Sequence, residues 1–427
     1  MFTFTGAKQA FCDGLSRRNF LKIGAFGAGL TLADMLRVQA QASSAPDRQT
    51  PSRPKSAIMI YLPGGPTHMD TYDLKPDAPT EFRGEFRPIQ TNCNGVQICE
   101  LFPLQARMWD KFSCIRSIVS VDEHSDSLVM TGKSSRENMT ANHPSFGSVV
   151  SRVRSGNDSP VPAFVSLRGM SRGTEPGFLG ISHRPFSPNG PGVQNLTPIP
   201  AVNGERLADR RAMLESFDGL RREVDANAAG LDTFTTRAFD MISSGGVRNA
   251  LDLGREPNNG RQRYQGVEQF LTARRLVEAG VGCVTLSYGG WDTHGQNFQA
   301  MRRQLPPLDK GLSLLVGDLH ERGLLNDTVV VMWGEFGRTP RINMGAGRDH
   351  WAPVMSALVA GGGMRMGQTI GSSTARGERP QDRRYTVPQV LSTLYRTIGI
   401  DPATTFNNGT GRPIHIVEDR SPVTELI

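Results

Sequence analysis

Apolar residues fall into six short uninterrupted runs: Ser56–Leu62, Phe112–Ile118, Val161–Leu167, Val281–Tyr288, Thr328–Trp333 and Val354–Ala360. Runs of this length without polar alternation predict strands buried on both faces, as in a parallel sheet. Between them the period changes. Leu308, Leu312, Leu315 and Leu319 repeat at steps of four, three and four, which predicts a helix with one apolar stripe against that sheet. Further helices are expected at 204–226, 262–279 and 387–398. Strands alternating with helices predict an α/β fold, a doubly wound, mostly parallel sheet flanked by helices. Ligands in such sheets bind beyond the carboxyl ends of the strands. The Gly- and Pro-rich stretch 169–203 and the polar segment 365–384 read as surface excursions, the first also as a loop able to cover a substrate.

The N-terminus follows a different pattern. Ser16-Arg17-Arg18-Asn19-Phe20-Leu21-Lys22 precedes a modest Gly/Ala-rich apolar run, Ile23–Ala33, and Ala40-Gln41-Ala42 supplies small residues for cleavage. This is the twin-arginine arrangement of an exported chain, with the translocase as its partner during export. Residues 1–42 are expected to be the signal peptide, 43–54 a polar linker and 55–427 the folded domain, delivered to the periplasm or the exterior. The Ile23–Ala33 run is too short for a comfortable membrane span, and the rest of the chain offers none.

Composition narrows the function classes. The formal charge is +7 over 427 residues. Lys8, Arg17, Arg18, Lys22 and Arg37 against Asp13 and Asp34 assign three of those charges to the leader, so about four remain for the mature part. No basic run carries interleaved aromatics, which sets nucleic acid aside as a partner. Five cysteines are too few for a disulfide scaffold. Cys93, Cys99 and Cys114 are close enough in sequence to offer a pair, or to remain free thiols.

Candidate chemistry gathers after the expected strands. Gly64-Gly65 leads to Asp70-Thr71-Tyr72-Asp73. Trp291-Asp292-Thr293-His294-Gly295 follows the strand ending at Tyr288. Glu335-Phe336-Gly337-Arg338-Thr339-Pro340 follows the strand ending at Trp333, with Arg348-Asp349-His350 beyond it. His68, His124, His143, His294 and His350 fall in or near expected edge loops. Carboxylates and imidazoles sharing one pocket suit Zn²⁺, and carboxylates also suit Mn²⁺, Mg²⁺ or Ca²⁺.

Three stretches carry a family resemblance. Leu308-Asp309-Lys310-Gly311 through Arg322-Gly323-Leu324-Leu325-Asn326-Asp327-Thr328 into the valine strand is similar to the sulfatase segment preceding its Asp-His metal pair. Leu101-Phe102-Pro103-Leu104, Phe112–Arg116 and Leu128–Gly132 resemble the sulfatase run into its nucleophile motif, and Thr386–Ile400 that superfamily's last helix. As a whole the chain resembles a group of exported bacterial proteins of unknown function that share the motifs quoted above. This resemblance to the sulfatase and alkaline phosphatase superfamily implies a metal-dependent hydrolase of sulfate or phosphate esters. Anionic esters or polysaccharides would be its substrates.

The superfamily holds two metals. Asp292, His294 and His350 match the ligands of one; Asp70 and Glu335 match two ligands of the other. Phe336 stands where that second site has a histidine, and phenylalanine cannot ligate, so one ion or two are both open. The segment Val121-Asp122-Glu123-His124-Ser125 occupies the nucleophile region without a Cys-x-Pro-x-Arg motif. Ser125 is the candidate nucleophile there, and His124 the candidate acid, base or ligand. Arg338 and Arg348 are candidates for stabilising charge on the transferring group. The departures at Phe336 and in the nucleophile motif leave a second expectation, a non-catalytic binding or surface-assembly protein on a degenerate alkaline-phosphatase-like fold.

Overall fold

All six residues of Ser56–Tyr61 (β1) are buried, and the strand lies inside the main sheet with a parallel neighbour on each side. The other strands are Phe112–Val119 (β2), Phe164–Ser166 (β3), Cys283–Ser287 (β4), Thr328–Trp333 (β5), Met355–Gly361 (β6), Gln368–Ile370 (β7) and Tyr385–Thr386 (β8). Their order is β7-β2-β6-β5-β1-β4-β3, with β8 also beside β2. The computed structural model describes residues 55–154, 161–167, 171–188 and 245–427. The leader, the linker, the helix expected at 204–226 and much of the 169–203 stretch lie outside the described residues.

The sheet is mostly parallel, as expected, with one reversal. Strand β6 runs antiparallel to both β2 and β5, and every other pairing in the sheet is parallel. A parallel successor to β5 would need a crossover of a dozen or more residues, usually a helix. Residues 334–354 contain no helix, so the chain returns along the edge it left. That reversal matters for the site. It keeps both ends of the 334–354 loop at the edge where β1, β2 and β4 also finish.

Alternate residues of each strand feed two hydrophobic layers. Ile58, Ile60, Val330, Met332 and Leu358 pack with helices Glu268–Glu278 and Asn297–Glu321. Met59, Tyr61, Val329, Val331 and Trp333 pack with helices Ser127–Thr131, Phe146–Val153 and Val387–Thr397. The Leu308, Leu312, Leu315 and Leu319 stripe is fully buried, as its spacing predicts. Its helix continues through Pro306 and Pro307. Each interior proline removes a backbone hydrogen bond at a cost of about 3 kcal/mol, so tertiary packing must hold this helix together.

Asp309 in the same helix is buried, and its carboxylate accepts the N–H groups of Leu104 and Gln105 at 2.8 and 2.9 Å. The acidic residue of the Leu-Asp-Lys-Gly stretch thus anchors the Pro103–Ala106 helix. Burial raises its pKa, opposed by those two bonds.

Cys93, Cys99, Cys114 and Cys283 are free thiols, so the possible pairing among the first three is not formed. Burial pushes Cys99 and Cys114 up to about 12. No helix among the described residues is long and apolar enough to cross a membrane.

Candidate metal centre

Three loops at the carboxyl edge build one cluster. After β4, Trp291 is buried; its indole N–H donates to the Tyr288 carbonyl and its backbone N–H to Pro63, both at 2.8 Å. Thr293 is buried as well, and its hydroxyl donates to Asn297 Oδ1 at 2.7 Å. With Trp291 and Thr293 held inward, Asp292 and His294, which alternate with them, face outward together. They are 46% and 48% exposed.

After β5, Gly337–Arg338 pairs antiparallel with His350–Trp351, Arg338 directly opposite His350. This two-residue ribbon brings His350 back to the edge. The loop after β2 supplies Asp122 and His124. A fourth loop, after β1, buttresses the others. Gly64 has φ +93°, and a Cβ there would lie 2.4 Å from the Asp292 backbone nitrogen. Only glycine allows the β1 loop to press this closely against Asp292.

The imidazoles converge on Asp292. His294 Nε2 and His350 Nε2 lie 3.0 and 3.2 Å from Asp292 Oδ1 and 3.1 Å from each other. His124 Nε2 lies 3.6 Å from Asp292 Oδ2. The far nitrogen of each ring meets its own carboxylate. His294 Nδ1 is 2.6 Å from Asp349, His350 Nδ1 is 3.1 Å from Asp122, and His124 Nδ1 is 3.3 Å from Glu335. A ring whose Nδ1–H donates to a carboxylate presents its Nε2 lone pair, which is how metal-binding histidines are commonly oriented.

Two imidazole nitrogens and a carboxylate oxygen this close need a positive centre between them, either a proton on a ring nitrogen, as in the hydrogen bond from His350 to Asp292, or a metal ion in its place. Two ligands at about 2.0–2.1 Å from a tetrahedral ion sit roughly 3.3 Å apart, close to the separations here. Imidazole nitrogens gathered on the Asp292 carboxylate are a donor type that suits a divalent ion, with His294 and His350 on Oδ1 and His124 on Oδ2. One ligand atom each from His124, Asp292 and His350 lies within 4.8 Å of the others.

Arg338 is fully buried under this cluster and acts on it through Asp292. Its Nη2 donates to Asp292 Oδ1 at 2.5 Å, its Nε to the carbonyls of Gly64 and Gly65 at 2.9 and 3.1 Å, and its Nη1 to Arg348 at 3.1 Å. Burial by itself would raise the Asp292 pKa. The Arg338 hydrogen bond and charge, then the His350 hydrogen bond and the His294 charge, bring it below the usual carboxylate range. The bond from His294 likewise lowers Asp349. Glu335 is almost fully buried and accepts the Gly64 N–H at 2.8 Å. Phe336 is buried beside the cluster, its ring 4.4 Å from that of His350 and 5.2 Å from that of His124.

Other sequence candidates lie elsewhere. Asp70 is not brought to the cluster as a ligand: its carboxylate is held by Arg348 Nε at 2.7 Å, Arg348 Nη2 at 3.1 Å and Asn297 Nδ2 at 2.9 Å. Arg348 is correspondingly not placed to touch a transferring group, because it is fully buried on Asp70. Ser125 accepts the Ser127 N–H at 3.1 Å, and no hydrogen bond joins it to the cluster among the described residues. His68 and His143 are buried, donating to the carbonyls of Gly377 and His415 at 2.8 and 3.0 Å.

Two members of the cluster escaped the sequence reading, Asp122 and Asp349. Each lies within two residues of a cluster histidine, the one signal that could have pointed to them.

Among solved structures, the chain is similar to the lipoteichoic acid synthase LtaP from Listeria monocytogenes, with 11% identity and a TM-score of 0.35 over 90% of this chain and 81% of that one. It is also similar to the PsFucS1 sulfatase from Pseudoalteromonas sp., with 11% identity and a TM-score of 0.34 over 86% and 70% of the two chains. A third similar structure is Ps i-CgsB in complex with k-i-k-neocarrahexaose, with 10% identity and a TM-score of 0.34 over 81% and 72%. Likeness at this level carries no inference about chemistry. No curated protein matches the chain. The family comparison matches residues 54–427, most of the sequence, and the chain belongs to the DUF1501 family, described as proteins of unknown function.

Proposed function

We propose that this chain is an exported, metal-dependent hydrolase of sulfate or phosphate esters, acting outside the cytoplasm on an anionic ester, including esters carried by polysaccharides. The observation that carries the reading is the convergence of His124, His294 and His350 on Asp292, each ring backed by its own carboxylate. Zn, Mn, Mg or Ca bound there would supply Lewis acidity toward an ester oxygen. His124, half exposed at the rim with Glu335 behind it, is either a ligand of that ion or, where Asp292, His294 and His350 hold the ion without it, the ring that passes a proton to a bound group. Ser125 follows it directly and is the candidate nucleophile of this segment. Arg338 keeps Asp292 ionised and oriented and is a positioning residue in this scheme. The export reading rests on the Arg17-Arg18 leader and its translocase.

A second reading, a non-catalytic binding or surface-assembly protein, draws on Phe336 and on Asp70, whose carboxylate is engaged by Arg348. The test is turnover of aryl sulfate and aryl phosphate panels by the metal-loaded chain beside His350→Ala. Turnover that requires metal and disappears in the variant is expected. A bound ion without turnover on either panel would favour the binding protein.

A further inference from the structure

Building on the metal-centre reading above, we infer that the site takes one divalent ion, because the Arg348 guanidinium permanently occupies the carboxylate that a second ion would need. The resemblance to two-metal hydrolases assigns Asp70, Glu335 and a histidine to that second position. The residues present do not form it. Phe336 replaces the histidine with a group that has no lone pair to give. Asp70 is 1% exposed and faces Arg348, which is fully buried.

The engagement of Arg348 is complete. Its Nε and Nη2 donate to the two oxygens of Asp70, Nη2 also to Phe82 at 2.8 Å, and Nη1 to Thr339 at 3.1 Å and to Pro340. All five N–H donors of a guanidinium are thereby used. Asn297 Nδ2 adds a further donor on Asp70 Oδ2. An ion could bind Asp70 only by displacing a buried, fully bonded cation, which would be left uncompensated.

Glu335 Oε2, buried and without a hydrogen-bond partner, is then the one oxygen left from the second set that the resemblance implies. Its other oxygen already serves Gly64 and His124. One oxygen does not hold a hard cation that takes several oxygen ligands. The positive charge of the second position is therefore supplied by the protein. Arg348 neutralises Asp70, and Arg338 lies against Asp292 from below.

The experiment counts ions. The full chain is saturated with Zn²⁺ or Mn²⁺, freed of excess, and measured by plasma mass spectrometry, beside Asp70→Asn and His350→Ala. One ion per chain is expected in the parent and in Asp70→Asn, whose thermal midpoint falls, and none in His350→Ala. Two ions in the parent, or an ion lost in Asp70→Asn, would overturn the inference while leaving the hydrolase reading intact. No ion in the parent would remove the metal-centre reading itself. If Asp70→Asn does not fold, the parent's count decides alone.

Discussion

Replacing Arg348 with alanine is expected to destabilise the chain by about 3–5 kcal/mol, the range for breaking a buried ion pair from one side. The reason is what remains. Asp70 would stay buried with Asn297 as its one side-chain donor, and the carbonyls of Phe82, Thr339 and Pro340 would lose theirs. These carbonyls belong to two separate stretches of backbone, and Asp70 to a third, so one side chain ties together the β1 loop, residues near 82 and the 334–354 loop.

The readout is the urea midpoint, with the slope of the transition checked for change. Replacing both partners, Arg348→Met with Asp70→Leu, is expected to cost far less than the single change, because neither charge is then stranded. Lysine at 348 would restore the charge but not the five-donor fork, and should recover only part of the loss. A loss below about 1 kcal/mol for Arg348→Ala, the level of a surface ion pair, would contradict this role.

Asp349→Asn is expected to weaken metal affinity by about 10–100-fold, the usual effect of removing a carboxylate behind a metal-binding histidine. The 2.6 Å contact with His294 Nδ1 is the shortest of the three ring–carboxylate contacts, so this change should exceed Asp122→Asn, whose contact is 3.1 Å. Asparagine keeps the shape but can offer its amide N–H₂ to the ring, which favours the wrong tautomer. Removing a ring altogether, as in His350→Ala, should cost more than removing its support. Titration calorimetry on the folded variants reads all three. Equal affinity in the parent and Asp349→Asn would show that His294 does not ligate through Nε2.

Much of the fold is legible in the sequence because burial on both faces leaves uninterrupted apolar runs, and each of the six runs contains a strand of the main sheet. Direction is not written in such a run. Val354–Ala360 reads like its neighbours although β6 runs the other way, and only the absence of a helical pattern in 334–354 hints at it. Within the site, Asp292 and His294 are legible because their two-residue spacing fixes a common side.

Asp70 cannot be told from a ligand in the sequence, because a carboxylate after a strand looks the same whether it faces a metal or a guanidinium. Its partner Arg348 lies 278 residues away in sequence. The same distance effect separates His124 from Asp292, so the ring's place among possible ligands emerges only once β2 and β4 finish at one edge.

The most direct measurement is X-ray absorption at the metal edge of the chain loaded with Zn²⁺. Scattering from two to three imidazole rings with nitrogen at about 2.0–2.1 Å, plus carboxylate oxygen, is the expected first shell. A shell of oxygen alone, or failure to take up the ion, would contradict a metal centre built from His124, Asp292, His294 and His350.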